Sequence, residues 1–339
     1  MTDKTISPSR RNLLKGVAGA SALPFVGAFI AMQTQQIRAA DGSTALVDSP
    51  YGPIRPVKDM STGLPLLQLP PGFTYKSFGW RGDTMTDGKP CPGGHDGMGV
   101  IVSRKVGRSS ELVLVWNHEI GATSAANFIN APAVYDAGAN AVGSSKRFGG
   151  GTTNLIFRDG NWVSMTPSLG GTQANCAGGI TPWGTWLTCE EVSSDAVSAS
   201  GRKHGYVFEV TADPARTTGL PIIGMGRFGH EAAAVDPATG NVYQTEDLSG
   251  KSGFYRYVPD VKNGAPGSLA MGGVLQMARV KGLANVNLGT APINATYELE
   301  WVNVANPDQT AATPPGRAAS RSRMRPAPSC RVGSRVRCA

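Results

Sequence analysis

The sequence lacks an apolar stretch long enough to cross a bilayer. Residues 16–32 come nearest, with 17 residues, an interrupting Pro24 and many small side chains, whereas a spanning helix needs about 20 apolar residues. Arg10 and Arg11, two leucines and Lys15 precede this stretch. A basic segment before a modestly apolar one is typical of a secretory signal, and the paired arginines indicate the twin-arginine type. We predict a cleaved signal peptide at residues 1–40, export by the twin-arginine translocase to the periplasm or the exterior, and no stable membrane anchor.

The central part of the chain also lacks an excess of basic residues. The whole chain has 32 basic and 24 acidic side chains, a net charge of +8. Five basic residues and one acidic residue lie in residues 1–40, and seven arginines without an acid lie in residues 313–339. Residues 41–312 therefore hold 20 basic and 23 acidic side chains, a net charge of −3. Because nucleic-acid binding needs basic residues clustered in the folded domain, we expect no nucleic-acid partner.

Long stretches with helical periodicity are missing as well. Short apolar runs recur between turn signals, in a chain with 44 glycines and 24 prolines. Examples of such runs are residues 111–116, 154–157, 183–188, 206–210 and 254–258. Asp159-Gly160 suits a hairpin turn, and Asp236-Pro-Ala-Thr-Gly240 suits a proline turn. The pattern predicts an all-β protein, with its domain at residues 41–312.

Motifs of zinc proteases and serine hydrolases are absent. No H-E-x-x-H or G-x-S-x-G occurs, and the four histidines are expected to have structural or supporting roles. These are His95, His118, His204 and His230. The odd count of five cysteines leaves two readings open for Cys91, Cys176 and Cys189. A disulfide suits an exported protein, whereas a thiolate ligand suits Cys176 in its small-residue, acid-flanked segment.

An internal repeat carries most of the information. Cys176-Ala-Gly-Gly-Ile-Thr-Pro, followed by a strand ending in Glu190-Glu191, aligns with Glu231-Ala-Ala-Ala-Val-Asp-Pro and a strand ending in Glu246-Asp247. A weaker copy begins at Asp96 and ends at Glu119. Repeated antiparallel units of this size predict a β-propeller, in which equivalent positions lie on rings around one axis.

This alignment predicts a metal site. Asp96, Cys176 and Glu231 form one set, and Glu119, Glu191 and Asp247 form another. Carboxylates gathered this closely repel one another unless a cation binds among them. Glu190 is also a candidate ligand, but neighbours on a strand point to opposite faces, and the alignment favours Glu191.

Several segments resemble the PhoX-type alkaline phosphatases, over roughly residues 45–305. They are residues 63–70, 72–80, His-Asp-Gly-Met at 95–98, Asn-His-Glu at 117–119, Asn-Cys-Ala-Gly-Gly-Ile-Thr-Pro-Trp-Gly-Thr-Trp-Leu-Thr-Cys-Glu-Glu at 175–191, and Gly-His-Glu-Ala at 229–232. The resemblance implies twin-arginine export, a propeller fold, and an active site with Fe³⁺ and Ca²⁺ in which a cysteine thiolate holds iron. It implies that Cys176 is that thiolate and that Glu191 and Glu231 bind metal.

The resemblance further implies hydrolysis of small phosphate monoesters by a metal-bound oxygen species that attacks phosphorus in line, without a side-chain nucleophile. Asn117 and Asn175 are candidate contacts to phosphate, and we expect a monomer. Two alternatives remain: a calcium-dependent propeller lactonase or esterase, which has no need for Cys176, and a non-catalytic propeller that binds a partner or calcium alone.

The C-terminal segment departs from the family pattern. Residues 313–339 have no strand pattern and no acid, where family members continue with further blades. We expect that a frameshift or early stop replaced those blades, that the basic tail is disordered, and that the propeller is incomplete. Weak or absent phosphatase activity is the expected consequence for this chain.

Overall fold

The computed structural model describes residues 49–192, 198–262, 264–283 and 286–309. Within these ranges the chain forms strands and short 3₁₀ helices but no α-helix, which confirms the all-β prediction. None of these residues forms a helix long and apolar enough to cross a membrane. The predicted signal peptide and the basic tail lie outside the described residues.

The strands, in chain order, are β1 (Arg55–Val57), β2 (Leu67–Leu69), β3 (His95–Val106), β4 (Ser109–His118), β5 (Ala122–Thr123), β6 (Ala133–Val134), β7 (Arg147–Phe148), β8 (Gly150–Arg158), β9 (Asn161–Thr172), β10 (Asn175–Ile180), β11 (Trp186–Glu190), β12 (Val207–Val210), β13 (His230–Val235), β14 (Val242–Glu246), β15 (Phe254–Pro259), β16 (Gly273–Val280) and β17 (Leu299–Asn303). The 3₁₀ helices are Ala125–Asn127, Pro214–Arg216, Ile223–Met225, Ser268–Met271 and Leu288–Thr290.

The chain divides into two compact units between Phe78 and Gly79. In the first unit, β1 and β2 form an antiparallel pair. The buried carboxylate of Asp59 accepts hydrogen bonds from the backbone amides of Ser61, Thr62 and Ser77 and from the hydroxyls of Thr62 and Ser77. This single side chain therefore holds the turn after β1 against the end of the unit.

The second unit contains a two-stranded pair, β5 with β7, and three larger successive sheets. Their strand orders are β3-β4-β8-β9-β6, β10-β11-β12 and β13-β14-β15-β16-β17. All neighbouring strands within these sheets are antiparallel except β6 and β9. The turn chemistry agrees with the sequence: Asp159 and Gly160, between β8 and β9, both have positive φ angles, of 47° and 79°, as a two-residue hairpin turn requires.

The core lies on both faces of the middle sheet, because successive side chains of a strand point to opposite faces. On β11, Trp186 packs toward the first sheet with Val115 and Phe208. The next residue, Leu187, packs toward the third sheet with Tyr257. The middle sheet is therefore fixed on both sides by apolar contact.

The first strands of the three sheets are neighbours, since β10 lies against both β3 and β13. Sheets that meet along their first strands are arranged as the blades of a propeller. Closed propellers have about four to eight blades, and the described residues supply three. The prediction of an incomplete propeller is confirmed for this part of the chain.

Candidate metal centre

Each of the three sheets contributes two acidic or thiol side chains at the same end. Asp96, Cys176 and Glu231 each occupy the second residue of the first strand of their sheet. Glu119, Glu191 and Asp247 each follow directly after the second strand. Because paired antiparallel strands place the start of one beside the end of the next, each sheet brings its two side chains together.

The pairing of the strands shows that the three pairs are equivalent. The residues just before each pair are cross-strand partners: His95 with His118, Asn175 with Glu190, and His230 with Glu246. In each sheet the register shifts immediately after this partner. A β-bulge of this kind redirects the following side chain. The same local irregularity therefore turns Asp96, Cys176 and Glu231 out of their ladders.

The six side chains form one connected group, which we call the acid cluster. Its members are Asp96, Glu119, Cys176, Glu191, Glu231 and Asp247. The Cys176 thiol lies 3.5 Å from Glu231 Oε1 and 3.7 Å from Asp96 Oδ1. One ligand atom from each of Cys176, Glu191 and Glu231 lies within 4.8 Å of the others. Glu119 interacts with Asp96, and Glu191 with Asp247.

The burial of the acid cluster is graded. Cys176 is buried, and Glu191 and Glu231 are half-buried. Asp96, Glu119 and Asp247 are exposed. The cluster therefore has a thiol and two carboxylates at its base and three carboxylates at its rim.

The electrostatics of the acid cluster are unfavourable without a cation. Burial, together with the charges of Glu231 and Asp247, raises the pKa of Glu191 to about 7. Burial and Asp96 raise the pKa of Glu119, and burial with Glu231 and Asp96 raises the pKa of the Cys176 thiol. In the described part of the chain the ion pairs of Arg104, Arg158, Lys203, Arg279 and Lys281 are with carboxylates outside the cluster. Protonation of Glu191 relieves part of this repulsion in the absence of metal, and a bound cation would offset it with the carboxylates ionised.

Small residues after each ligand allow the first strands to approach closely. A Cβ atom on Gly179 would lie 1.7 Å from the carbonyl oxygen of Ala233, and one on Gly97 would lie 2.7 Å from the Cα of Ala177. No side chain fits at such distances. The small-residue runs of the repeat are therefore explained by strand packing beside the acid cluster.

Glu190, which the sequence left among the candidate ligands, lies outside the acid cluster. It is fully buried on the opposite face of β11. Its Oε1 accepts hydrogen bonds from the backbone amide of Gln173 and from His204 Nδ1, both at 2.7 Å. Its Oε2 accepts from the amides of Gly205 at 2.7 Å and Tyr206 at 3.1 Å. All its acceptor positions are used within the protein, so we correct its role to a structural one.

The two asparagines predicted to contact phosphate are also structural. Asn117 is fully buried and donates from Nδ2 to the carbonyls of Cys176 and Ala177, both at 2.8 Å. Its Oδ1 accepts from Trp186 Nε1 and Thr188 Oγ1. Asn175, equally buried, bonds Thr188 and Thr172. Both amides are shielded from solvent and bonded within the protein; Asn117 holds the backbone of Cys176, and Asn175 ties two threonine hydroxyls together.

The cysteines and histidines are distributed as follows. Cys91, Cys176 and Cys189 are free thiols, so the disulfide alternative is wrong for these three. His95 stacks on Trp116 with ring centroids 4.1 Å apart. His118 is buried between the carbonyl of Gly93 and the hydroxyl of Thr153. His230 is likewise buried, with Nε2 3.2 Å from the carbonyl of Gly226.

The family model of alkaline phosphatase PhoX matches residues 49–169 and 162–333. The chain belongs to the PhoX alkaline phosphatase family. A solved structure, Pseudomonas fluorescens PhoX in complex with vanadate, a transition state analogue, is similar at 20% identity, with a TM-score of 0.42. The similarity covers 62% of this chain and 49% of that chain, so this chain spans about half the length of that relative. No curated protein matches the sequence.

Sequence reasoning missed two features of this PhoX chain. One is a buried polar group behind β11, where Ser198 and Ser200 donate to Asp136 and His204 Nε2 lies 3.6 Å from the same carboxylate. The other is a cavity beside Glu119. Both are built from loops far apart in the sequence, and no repeat or motif marks them.

Proposed function

We propose that this chain is an exported, metal-dependent phosphatase that hydrolyses phosphate monoesters at the acid cluster, with Fe³⁺ and Ca²⁺ as its metals. The observation that supports it most is the convergence of Cys176, Glu191 and Glu231, with ligand atoms within 4.8 Å of one another. They come from two different sheets: Cys176 and Glu231 occupy equivalent positions on β10 and β13, and Glu191 directly follows β11. Family membership supports the phosphatase class.

The donor atoms fit the two metals. A thiolate beside two carboxylates suits a transition metal, so Cys176, Glu191 and Glu231 are the residues that would hold iron. The exposed carboxylates of Asp96, Glu119 and Asp247 provide the oxygen-only donors that Ca²⁺ prefers. When bound, such cations neutralise the charge on phosphoryl oxygens and activate water for displacement at phosphorus.

The protein's own contribution is position and charge. Asn117 fixes the backbone on both sides of the Cys176–Ala177 peptide, and the bulges fix the direction of the ligands. Glu190 holds the end of β11, so the backbone of Glu191 is fixed as well. Preorganised charges of this kind need no rearrangement when substrate arrives.

Metal content is the decisive measurement. Purified protein should contain iron and calcium, and Cys176→Ser should lose the iron, because a serine hydroxyl is a far weaker ligand than a thiolate. Hydrolysis of p-nitrophenyl phosphate, at whatever rate the chain supports, should fall about a hundredfold in the same variant.

Cys91→Ser is the matched control, because Cys91 is another buried free thiol, placed against the carbonyl of Gly79 instead of a carboxylate. It should keep its iron. Equal iron content in wild type and Cys176→Ser would contradict the proposal and return the lactonase and the calcium-only propeller to consideration.

A further inference from the structure

A cavity of about 690 Å³ opens beside the acid cluster, within the range of about 300–1,000 Å³ that small-molecule sites occupy. Glu119 lines it and also belongs to the acid cluster. The cavity is therefore next to the place where the phosphoryl group is expected to react, on the side of the first sheet.

The cavity carries an excess of positive charge. Arg81, Lys89 and Arg147 line it, against two acids, Asp87 and Glu119. Asp87 accepts a hydrogen bond from the backbone amide of Lys89 within its own turn. Glu119 shares a side-chain hydrogen bond with Asp96. Among the described residues, the three cations form no ion pair with a carboxylate.

Two of these cations are held in position. The stem of Arg81 crosses Gly93 so closely that a Cβ there would lie 3.0 Å from Arg81 Cδ. The next residue, Gly94, accepts a hydrogen bond at 2.6 Å from the amide of Glu119. Arg147 is half-buried, with its guanidinium 5.2 Å from the centre of the Phe128 ring. A short, closely packed loop thus links a cation of the cavity to a carboxylate of the cluster.

The remaining wall of the cavity is mixed, with polar side chains at Thr123, Asn127 and Asn130 and apolar ones beside them. Ile120, Phe128 and Ile129 contribute carbon surface between the charged groups. A ligand that fits both kinds of wall has a small carbon skeleton and an anionic group. A phosphoryl group bound at the acid cluster would direct the alcohol part of its ester into this space.

We propose that this cavity binds the alcohol part of the substrate and selects phosphate monoesters whose alcohol carries a second anionic group, a carboxylate or another phosphate. The inference rests on the proposed function, because it takes the acid cluster as the site of the phosphoryl group. Arg81 and Arg147 are the residues that would recognise the second anion, and arginine suits this role because its planar fork matches carboxylate and phosphate oxygens.

A matched pair of ligands tests the proposal. 3-Phosphoglycerate and glycerol 3-phosphate have the same carbon skeleton, but only the first carries a carboxylate. Calorimetric titration of the metal-loaded protein should show about tenfold tighter binding of 3-phosphoglycerate, the effect of one charge-assisted contact. The ratio should fall to about one in the Arg81→Gln/Arg147→Gln variant.

Two further variants guard against indirect effects. Arg147→Lys keeps the charge and should keep most of the preference. Lys105→Gln removes a cation at the end of β3 opposite to Asp96, where Lys105 Nζ bonds Ser110, and should leave the ratio unchanged. A loss of preference in Lys105→Gln would mean that overall charge, and not the cavity, produces it.

Hydrolysis of p-nitrophenyl phosphate by the same protein separates the two proposals. Hydrolysis without any preference between the two ligands overturns the cavity assignment and leaves the phosphatase standing. A preference that depends on the two arginines, in protein that neither hydrolyses an ester nor loses iron in Cys176→Ser, supports the cavity and overturns the phosphatase. Failure to bind either ligand, or a preference that survives the double variant, overturns the cavity assignment.

Discussion

Glu190 and Glu191 are adjacent residues of the same type, at the end of the same strand, in opposite environments. Glu190 is fully buried and accepts four hydrogen bonds, two on each oxygen. Glu191 is half-buried and faces Glu231, Asp247 and Cys176. Burial alone thus does not decide the role of a carboxylate here; the supply of donors does. Glu190 stabilises the fold, whereas Glu191 is left for a cation.

The same division recurs in the third sheet. Glu246 is buried and accepts hydrogen bonds from the amide of Gly253 and the hydroxyl of Tyr255. The next residue, Asp247, is exposed and interacts with Glu191. Each such pair places one carboxylate in the structure of its blade and the next in the acid cluster.

Glu190→Gln tests the structural role of Glu190, and we expect it to change the free energy of unfolding more than the other variants do. An amide has one acceptor oxygen, so its NH₂ group would face two N–H donors that have lost their acceptor. We expect a loss of about 3 kcal/mol in the free energy of unfolding, measured by urea denaturation. An unchanged free energy of unfolding would show that these hydrogen bonds add nothing to stability.

Asn117→Ala should have a somewhat smaller effect on stability, of about 2 kcal/mol. It removes two donors to the carbonyls of Cys176 and Ala177 and the acceptor for Trp186 and Thr188. The exposed Asn127→Ala is the control and should change stability by less than about 0.5 kcal/mol. A variant that unfolds like wild type but has a higher KM would return Asn117 to the role of a substrate contact.

Glu191→Gln should have the smallest effect and the opposite sign. In chelator-treated protein the pKa of Glu191 is raised from 4.5 to about 7, so its ionisation destabilises the fold increasingly between these pH values and by a constant amount above them. At pH 8 the variant should be more stable by about 1 kcal/mol, a value reduced because the group is partly exposed. At pH 4 the two proteins should be equally stable.

A lower free energy of unfolding for metal-free Glu191→Gln than for metal-free wild type at pH 8 would contradict the contrast drawn between Glu190 and Glu191. It would mean that Glu191 also makes contacts that support the fold. The two variants therefore form a pair in which each is the control for the other.

The repeat made the arrangement of the sheets predictable, because Asp96, Cys176 and Glu231 mark equivalent strand positions in the sequence itself. The alternation of side chains along a strand showed that Glu190 and Glu191 point to opposite faces, and the repeat alignment favoured Glu191. Asn117 and Asn175 were misassigned because an amide beside a ligand looks the same in sequence whether it faces solvent or a buried carbonyl. Only the register and the bulges, which depend on pairing with distant strands, distinguish the two cases.

The cavity was unpredictable for a similar reason. Arg81 and Arg147 are separated in the sequence by β3 to β6, and a lone arginine in a sequence usually indicates only a solvated surface. Their common position depends on the fold of the loops around Gly93 and Gly94. No local pattern in the sequence encodes that.

The acid cluster also has a mechanical consequence, because its members are drawn from three blades that are otherwise joined by apolar packing, loops and a few hydrogen bonds such as those of Asn117. A cation held by Cys176 and Glu231 cross-links the second blade to the third, and one held by Asp96 extends the link to the first. Such a ligand adds to the stability of the folded state in proportion to the logarithm of its concentration, about 2.7 kcal/mol at a hundred times its dissociation constant. An open propeller lacks the contact between first and last blades that closes a full ring. It would therefore depend on this cross-link more than a closed propeller does, so the metals would stabilise the packing of the blades as well as take part in the reaction.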